Sequence, residues 1–154
     1  MKLETERKYL LADSSWRQNC GPGHAIRQGY FTRGEDFQLR VRLVDTQALL
    51  TIKGKAEGIT RREFEFPIPY PEGEELLREF CGTRLVEKTR YYLQYGGFTW
   101  EIDEYTGRNQ GLYTAEIELP DEDTAFPLPP WLGQEVSHDP RYSNAALARQ
   151  PRRG

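Results

Sequence analysis

Apolar and polar residues alternate along most of the chain. Leu39–Leu43 and Ala115–Leu119, for example, carry an apolar side chain at every second position and a charged one between them. This period of two is typical of β-strands whose two faces meet different surroundings. The pattern predicts eight strands, at residues 2–11, 24–32, 37–45, 48–54, 59–67, 84–95, 98–106 and 112–119.

The connections between these strands are mostly short. Residues that favour turns are concentrated in Asp45–Gln47, Lys55–Gly58, Tyr95–Gly97 and Thr106–Gly111. Eight strands joined in this way favour an antiparallel sheet that can close into a barrel.

Helices are predicted in three places. Pro71–Phe80 begins with proline and glutamate, which suit a helix N-terminus. Asp121–Ala125 is predicted to form a single turn of helix. Asn144–Arg149 follows Ser143, a residue type that caps helices well.

The length of the chain, 154 residues, suits one domain. Residues 1–150 are therefore predicted to fold as a unit and residues 151–154 to form a frayed tail. No stretch approaches the roughly 20 apolar residues of a membrane helix, and no signal peptide opens the chain. The expected location is the cytoplasm.

Cysteines and histidines are too few and too scattered for some kinds of site. Cys20 and Cys81 have no CxxC spacing, which favours two ordinary thiols over a disulfide framework or a zinc site. His24 and His138 stand far apart in sequence, which argues against a histidine-rich metal site.

Charged residues make up 29% of the chain, but the net charge is only −3. This lack of a basic excess argues against nucleic-acid binding. Side chains two apart on a strand share a face, and here they form doublets of one sign. The doublets are Arg40/Arg42, Lys88/Arg90, Glu4/Glu6, Glu63/Glu65, Glu101/Asp103 and Glu116/Glu118.

On a single strand, a polar face turned toward water explains such a doublet. Repeated on neighbouring strands, doublets of one sign repel unless an opposite charge lies between them. Basic doublets suit phosphate oxygens, and acidic doublets suit a divalent cation that shares its ligands with phosphate. The pattern favours a metal–polyphosphate site, but it leaves open whether this face points into a barrel or to solvent.

The opening segment Glu4–Lys8 has the pattern ExExK, which resembles the signature of the CYTH family, the triphosphate tunnel metalloenzymes. Further elements that resemble the family follow in order, over about residues 3–147. They are Ile26–Tyr30 (IxQxY), Leu39–Arg42 (RxR), Thr51–Lys53 (TxK), Arg61–Glu65 (RxExE), Lys88–Arg90 (KxR), Glu101–Asp103, Glu116–Leu119 and a closing segment from Trp131 to Asn144.

The resemblance implies a mainly β (α+β) fold, an eight-stranded antiparallel closed barrel with a few peripheral helices. In that family the charged face lines an internal tunnel. Few helices are available here to cover the apolar outer face, which leads to the hypothesis that a homodimer buries part of it.

The resemblance also implies roles for individual residues. The residues implied to hold a triphosphate are Lys8, Arg40, Arg42, Lys53, Arg61, Lys88 and Arg90. Those implied to hold Mg²⁺ or Mn²⁺ are Glu4, Glu6, Glu63, Asp103, Glu116 and Glu118. Glu65 and Glu101 are not assigned to the metal and are expected to pair with arginines of the tunnel.

The candidate catalytic residues are Lys8, Tyr30 and Lys88. Either Tyr30, with its pKa lowered by the Lys8 ammonium, or a metal-bound carboxylate is expected to activate the water. Tyr30 could instead only line the tunnel wall.

Hydrolysis of inorganic tripolyphosphate is the leading functional prediction. The alternatives are class IV adenylyl cyclase chemistry, hydrolysis of thiamine or nucleoside triphosphates, and non-catalytic polyphosphate binding. The many carboxylates argue against the last, because a pure anion binder gains nothing from them. No GxxxxGK[ST] loop is present, so phosphate binding is expected to rely on side chains.

Overall fold

The computed structural model describes residues 1–31 and 36–152. The strands of this part of the chain are β1 (Lys2–Leu11), β2 (His24–Tyr30), β3 (Phe37–Val44), β4 (Gln47–Gly54), β5 (Thr60–Ile68), β6 (Leu85–Tyr95), β7 (Phe98–Thr106), β8 (Tyr113–Glu118) and β9 (Leu132–Glu135). Its α-helices are α1 (Tyr70–Phe80) and α2 (Asn144–Arg149).

Eight of these strands form a closed antiparallel barrel. Their order is β5-β4-β3-β2-β6-β7-β8-β1, and β5 pairs again with β1 to complete the ring. The predicted first and last strands are neighbours, with Lys8 opposite Glu116 and Glu6 opposite Glu118. The predicted fold class is therefore confirmed.

The ninth strand, β9, does not belong to the barrel ring. It pairs with the part of β1 that lies beyond the pairing of β1 with β5. β5 pairs with Lys2–Thr5 on one edge of β1, and β9 pairs with the same edge at Tyr9 and Leu11. The chain after β9 stays attached, because Val136 N donates to the Lys8 carbonyl oxygen and Lys8 N donates to Ser137 Oγ. We call residues 136–144 the closing segment from here on.

Most predicted elements are confirmed. β1, β7 and α2 have the predicted bounds, and the others differ by one or two residues at an end. Residue 32, the predicted end of β2, lies outside the described residues. The short strand β9 was not predicted.

The predicted helix at Asp121–Ala125 is wrong. The Asp121 carboxylate accepts from Asp123 N and Thr124 Oγ1, which closes a turn instead of a helix. Proline follows at position 127 and restricts the residue before it, Phe126, to extended conformations. Phe126 then packs edge-on against Trp100.

Apolar packing lies outside the barrel, between its outer face and the segments that wrap it. The largest cluster includes Trp16, Trp100 and Trp131, all of them buried. The connection between β1 and β2, which carries Trp16, and the connection between β8 and β9, which carries Phe126 and Trp131, therefore cover apolar surface that the few helices do not reach. The homodimer hypothesis stays a prediction.

The two α-helices cover other parts of the outer face. α1 packs Leu77 against Val41 and Leu43, and α2 packs Leu147 against Val86 and Tyr105. α1 comes close to the barrel because two positions have no side chain. A Cβ would meet the Leu77 side chain at 2.7 Å on Gly29, and the Ala48 side chain at 2.6 Å on Gly73.

Within residues 1–31 and 36–152, no helix has the length and apolar character that crossing a membrane requires.

Candidate active site

The barrel encloses a charged cavity of about 400 Å³. The residues of its wall come from β1 to β5 and from the closing segment. The charged and aromatic lining residues include Glu4, Glu6, Lys8, Tyr30, Arg40, Lys53, Arg61, His138 and Asp139. The charged face therefore points into the barrel, which settles the alternative that the strand pattern left open.

Carboxylates form a row along one side of the cavity. The side chains of Glu63 on β5 and Glu4 on the neighbouring strand β1 lie next to each other, and Glu6 and Glu116 continue the row toward β8. Lys53 Nζ lies 2.9 Å from Glu4 Oε2 and 3.4 Å from Glu63 Oε2. At the other end, Lys8 Nζ lies 3.3 Å from Glu116 Oε1.

Glu6 sits in the middle of this row. Its burial, together with the neighbouring Glu116 and Glu4 carboxylates, raises the pKa of Glu6 well above its ordinary value. Burial also opposes ionisation of Glu4, but the Lys53 ammonium and side-chain hydrogen bonds with Glu6 and Glu63 together lower the Glu4 pKa to about 2. The row therefore carries more carboxylate than its lysines neutralise.

The donor set of the row suits a hard divalent cation. Glu4 Oε2 and Glu116 Oε1 are buried and accept no hydrogen bond, although each lies near a lysine. The carboxylates are not gathered around one point. In the described part of the chain, no three acidic, histidine or cysteine side chains are placed to hold a metal by themselves. A cation that takes its remaining ligands from a bound phosphate and water fits this arrangement.

Positive charge is concentrated on β3, where Arg40 and Arg42 share one face of the strand. Arg40 lines the cavity. Arg40 is buried; one of its guanidinium nitrogens donates to Thr51 Oγ1 at 3.2 Å and lies 3.8 Å from Glu65 Oε2. Its Nε is buried without a hydrogen-bond partner. Arg42 donates from Nε to Gln28 Oε1 at 2.9 Å, and no described carboxylate lies within ion-pair distance of it.

Burial and the neighbouring Arg40 and Arg90 cations lower the pKa of Arg42 to about 10. A buried guanidinium without an anionic partner is unfavourable. Arg40 and Arg42 together therefore form a place where an anion would be stabilised.

The remaining basic doublet is locked into a buried network. Both oxygens of Asp103 accept from Arg90, and Asp103 Oδ2 also accepts from Lys88 Nζ at 2.8 Å. Arg90 pairs in addition with Glu101. Burial lowers the pKa of Lys88 to about 7 although Asp103 opposes this.

Lys88 comes near the cavity through the closing segment. It donates to Asn144 Oδ1 at 3.4 Å, and the Tyr105 hydroxyl donates to the same oxygen at 2.8 Å. Asn144, the first residue of α2, lines the cavity. Ser143 caps that helix by accepting from Ala146 N at 3.1 Å.

Lys8 and Tyr30 do not contact each other through a described hydrogen bond. Lys8 Nζ donates to the Tyr142 carbonyl oxygen at 3.0 Å and pairs with Glu116. The Tyr30 hydroxyl instead accepts from Gln28 Nε2 at 3.0 Å. The expected influence of Lys8 on Tyr30 has no support in this arrangement.

The structure thus divides the residues implied by the resemblance into three groups. The cavity wall contains Glu4, Glu6, Lys8, Tyr30, Arg40, Lys53 and Arg61. The charges packed behind or beside it are Lys88, Arg90, Asp103 and Glu116, which are buried, and Arg42 and Glu63, which are half-buried. Glu118 is different, because it is nearly half exposed and pairs with Lys2.

Two polar residues of the site, Gln28 and Asn144, were given no role by the sequence analysis. Gln28 stands two positions before Tyr30 and therefore shares its face, which is a signal that the strand pattern contained. Asn144 belonged to the recognised end of the chain but had no assigned role. Its contact with Lys88 depends on where the closing segment folds back.

Fold and site together define a barrel protein whose enclosed cavity is built for an anion and a cation side by side. Residues 2–149 match the CYTH domain. The chain belongs to this family, as the sequence motifs predicted, and membership implies a divalent metal.

Individual relatives cover almost the whole chain. An inorganic triphosphatase of Acetivibrio thermocellus is 43% identical over 151 residues, 98% of this chain and 96% of that protein. An inorganic triphosphatase of Nitrosomonas europaea is 40% identical over 151 residues, 94% of this chain and 96% of that one. The crystal structure of the inorganic triphosphatase NE1496 has a TM-score of 0.69 and 36% identity, covering 94% of this chain and 96% of that structure.

Proposed function

We propose that this chain hydrolyses inorganic tripolyphosphate inside the barrel, with Mg²⁺ or Mn²⁺ as cofactor. Two relatives at 40–43% identity carry the name inorganic triphosphatase. The observation that carries the proposal is the imbalance inside the cavity. Arg42 is a half-buried cation without a described carboxylate partner, while Glu6 is a half-buried carboxylate among carboxylates.

A metal–triphosphate complex corrects both imbalances at once. Phosphate oxygens supply the negative charge that Arg40 and Arg42 lack, and guanidinium groups bind phosphate with paired hydrogen bonds. The cation supplies the positive charge that the carboxylate row lacks. Neither an anion alone nor a metal alone satisfies both sides of the cavity.

The basic residues of the wall hold the phosphate chain in this proposal. Arg40, Lys53 and Arg61 lie along the part of the cavity formed by β3 to β5, and Lys8 lies on β1, the strand next to β5. Fixing the chain in one orientation lowers the barrier for attack by water, and the fixed positive charges stabilise the charge that develops on the phosphoryl oxygens. Lys53 and Lys8 exchange part of their carboxylate contacts for phosphate contacts.

Lys88 and Arg90 act from behind the wall. Asp103 holds both cations in place, and Asn144 places the Lys88 ammonium next to the cavity. In this arrangement both oxygens of Asp103 serve cations of the protein. We therefore assign Asp103 the task of fixing Lys88 and Arg90 in preference to holding a second metal.

Glu4, Glu6 and Glu116 are the residues that would hold the metal. When bound, the metal offsets negative charge on the phosphates and polarises the phosphorus that is attacked. Glu4 and Glu116 each have a buried oxygen that accepts no hydrogen bond, whereas no such oxygen is described for Glu63 or Glu118, and Glu118 is nearly half exposed. We place Glu63 and Glu118 in a supporting position.

The cavity lining favours an inorganic substrate over a nucleotide. Its described residues offer no aromatic ring apart from Tyr30 and His138, and a base binds most readily by stacking on such rings. The closing segment contributes five consecutive residues, 136–140, to the same wall.

The experiment is a substrate panel on the purified protein. Tripolyphosphate, ATP and thiamine triphosphate are each incubated with Mg²⁺, Mn²⁺ or Ca²⁺, and phosphate and cyclic AMP are both measured. We expect phosphate release to be fastest from tripolyphosphate with Mg²⁺ or Mn²⁺ and to stop on addition of EDTA. Cyclic AMP from ATP would instead establish cyclase chemistry. Tight tripolyphosphate binding without phosphate release would establish a binding module.

A further inference from the structure

Gln28 connects two side chains of the proposed site. It lies on β2 directly opposite Arg42 on β3, and Tyr30 follows two residues later on the same face. The Gln28 side chain is fully buried. Its Oε1 accepts from Arg42 Nε at 2.9 Å, and its Nε2 donates to the Tyr30 hydroxyl oxygen at 3.0 Å.

The direction of this chain of hydrogen bonds is fixed by chemistry. A guanidinium group can only donate, so the amide oxygen of Gln28 has to face Arg42. The amide nitrogen then has to face Tyr30, and the tyrosine oxygen accepts. The Tyr30 hydrogen has no acceptor among the described residues, and this side chain lines the cavity. The hydroxyl group is therefore free to donate into the cavity.

We infer that Gln28 is a positioning residue that makes the Tyr30 hydroxyl a hydrogen-bond donor to a phosphoryl oxygen of the bound triphosphate, next to the Arg42 guanidinium. This inference rests on the proposed function and deepens it. A fixed donor stabilises the charge on the phosphoryl oxygens during transfer and needs no reorientation at the moment of reaction. Tyr30 then acts as a donor and not as the base that activates water.

A double-mutant cycle tests the inference. Gln28→Glu keeps the size of the side chain and its hydrogen bond with Arg42. The new carboxylate can only accept, so the Tyr30 hydroxyl turns toward it and no longer donates to the substrate. We expect kcat/KM for tripolyphosphate to fall at least tenfold more in the native background than in the Y30F background, where no hydroxyl remains.

The added negative charge also weakens anion binding in general, but it does so equally in both backgrounds. The cycle therefore isolates the effect on the hydroxyl group. Gln38→Glu is the matched control, because Gln38 lines the same cavity and has no described hydrogen bond with Tyr30. We expect its effect to be the same with and without the Tyr30 hydroxyl.

Gln28→Met is a second variant, in case the buried carboxylate prevents folding. It removes both hydrogen bonds without reversing the tyrosine, and we expect a smaller loss that again depends on the Tyr30 hydroxyl. Equal losses in both backgrounds for the variants that fold would overturn the inference.

The same cycle is measured on the Kd of tripolyphosphate by calorimetry. If the native protein binds tripolyphosphate but does not hydrolyse it, the proposed function fails while the binding cycle still decides the role of Gln28. If the native protein hydrolyses it and neither cycle shows coupling, only the role of Gln28 fails.

Discussion

The surroundings of Glu6, a half-buried residue, indicate what the barrel binds. It lies between the Glu4 and Glu116 carboxylates and has no lysine of its own among the described ion pairs. A carboxylate in such a place costs stability, because burial and like charge both oppose its ionisation. A bound cation removes this cost.

Replacing Glu6 by Gln is expected to separate stability from activity. Because the pKa of Glu6 is raised, the folded protein keeps a proton on this carboxyl group at pH values where the unfolded chain, with an ordinary glutamate pKa of ~4.3, has released it. Stability is therefore lost as the pH rises from that value toward the folded pKa. The amide has no proton to lose, so we expect Glu6→Gln to have a higher Tm than the native protein at pH 8. This difference in Tm between variant and native protein should become smaller toward pH 4.

The same substitution is expected to lower metal-dependent tripolyphosphate hydrolysis by about a hundredfold or more, since a bound metal contributes several kcal/mol to the barrier. Glu79→Gln is the matched control, because Glu79 is exposed on α1 and does not line the cavity. We expect it to change both quantities little. A Glu6→Gln protein that is fully active or less stable than the native one would refute this role.

The two cysteines are expected to differ in reactivity. Cys81 is fully buried, and its burial raises the pKa of the thiol to about 11, whereas Cys20 is partly exposed. Only the thiolate reacts with alkylating agents. At pH 8, iodoacetamide should modify the folded protein once, at Cys20, and a second time only after unfolding. Mass spectrometry of the products measures this, and rapid native modification of Cys81 would contradict the structure.

At the residue scale, the sequence predicted which charges share a face but not how they pair. Alternation placed Lys88 and Arg90 on one face of their strand, and the family resemblance implied that this face and the one with Asp103 line the interior. Their network depends on the register of β6 against β7, which places Arg90 opposite Asp103. A shift of register changes every such partner, and alternation holds no information about it.

The closing segment is the element that completes the cavity. It follows β9, which pairs with β1, and it lines the cavity with residues 136–140 and brings Asn144 to Lys88. The position of Asn144 depends on the start of α2. This start is stabilised by the Ser143 side chain, which accepts from Ala146 N.

Replacing Ser143 by Ala is expected to destabilise the protein by about 1 kcal/mol, the usual cost of losing such a cap. In a domain of this size, that corresponds to roughly 2–4 °C in Tm. Ser14→Ala is the matched control, since Ser14 precedes the short helix Ser15–Gln18 without a capping side-chain hydrogen bond. Thermal unfolding of both variants measures the difference, and equal Tm values would contradict the cap.

At the element scale, long periodic segments were predictable and short ones were not. The ten residues of β1 and nine of β7 contain several repeats of the alternating pattern, and their bounds were predicted correctly. The four residues of β9 contain too few. The turn at Asp121 was mistaken for a helix because its acidic start resembles a helix N-terminus, while Phe126 is held by the apolar cluster around Trp100.

For the whole molecule, polar and apolar roles are reversed relative to a simple globular sheet protein. The barrel interior is charged, and the apolar clusters lie between the outer face and the segments that wrap it. Charges of both signs inside a closed barrel are stable only if they neutralise one another or a ligand. The described ion pairs satisfy many of these charges and leave Arg42 and Glu6 for the ligand.

The most direct test is a crystal structure with Mn²⁺ and imidotriphosphate, a triphosphate analogue whose bridging nitrogens resist hydrolysis. Anomalous scattering locates the manganese independently of the phosphates. We expect manganese inside the barrel, bound to Glu4, Glu6 or Glu116, and a phosphate chain that reaches Arg40 and Arg42. Manganese and analogue found only on the outer surface, with the cavity charges still paired among themselves, would contradict the account.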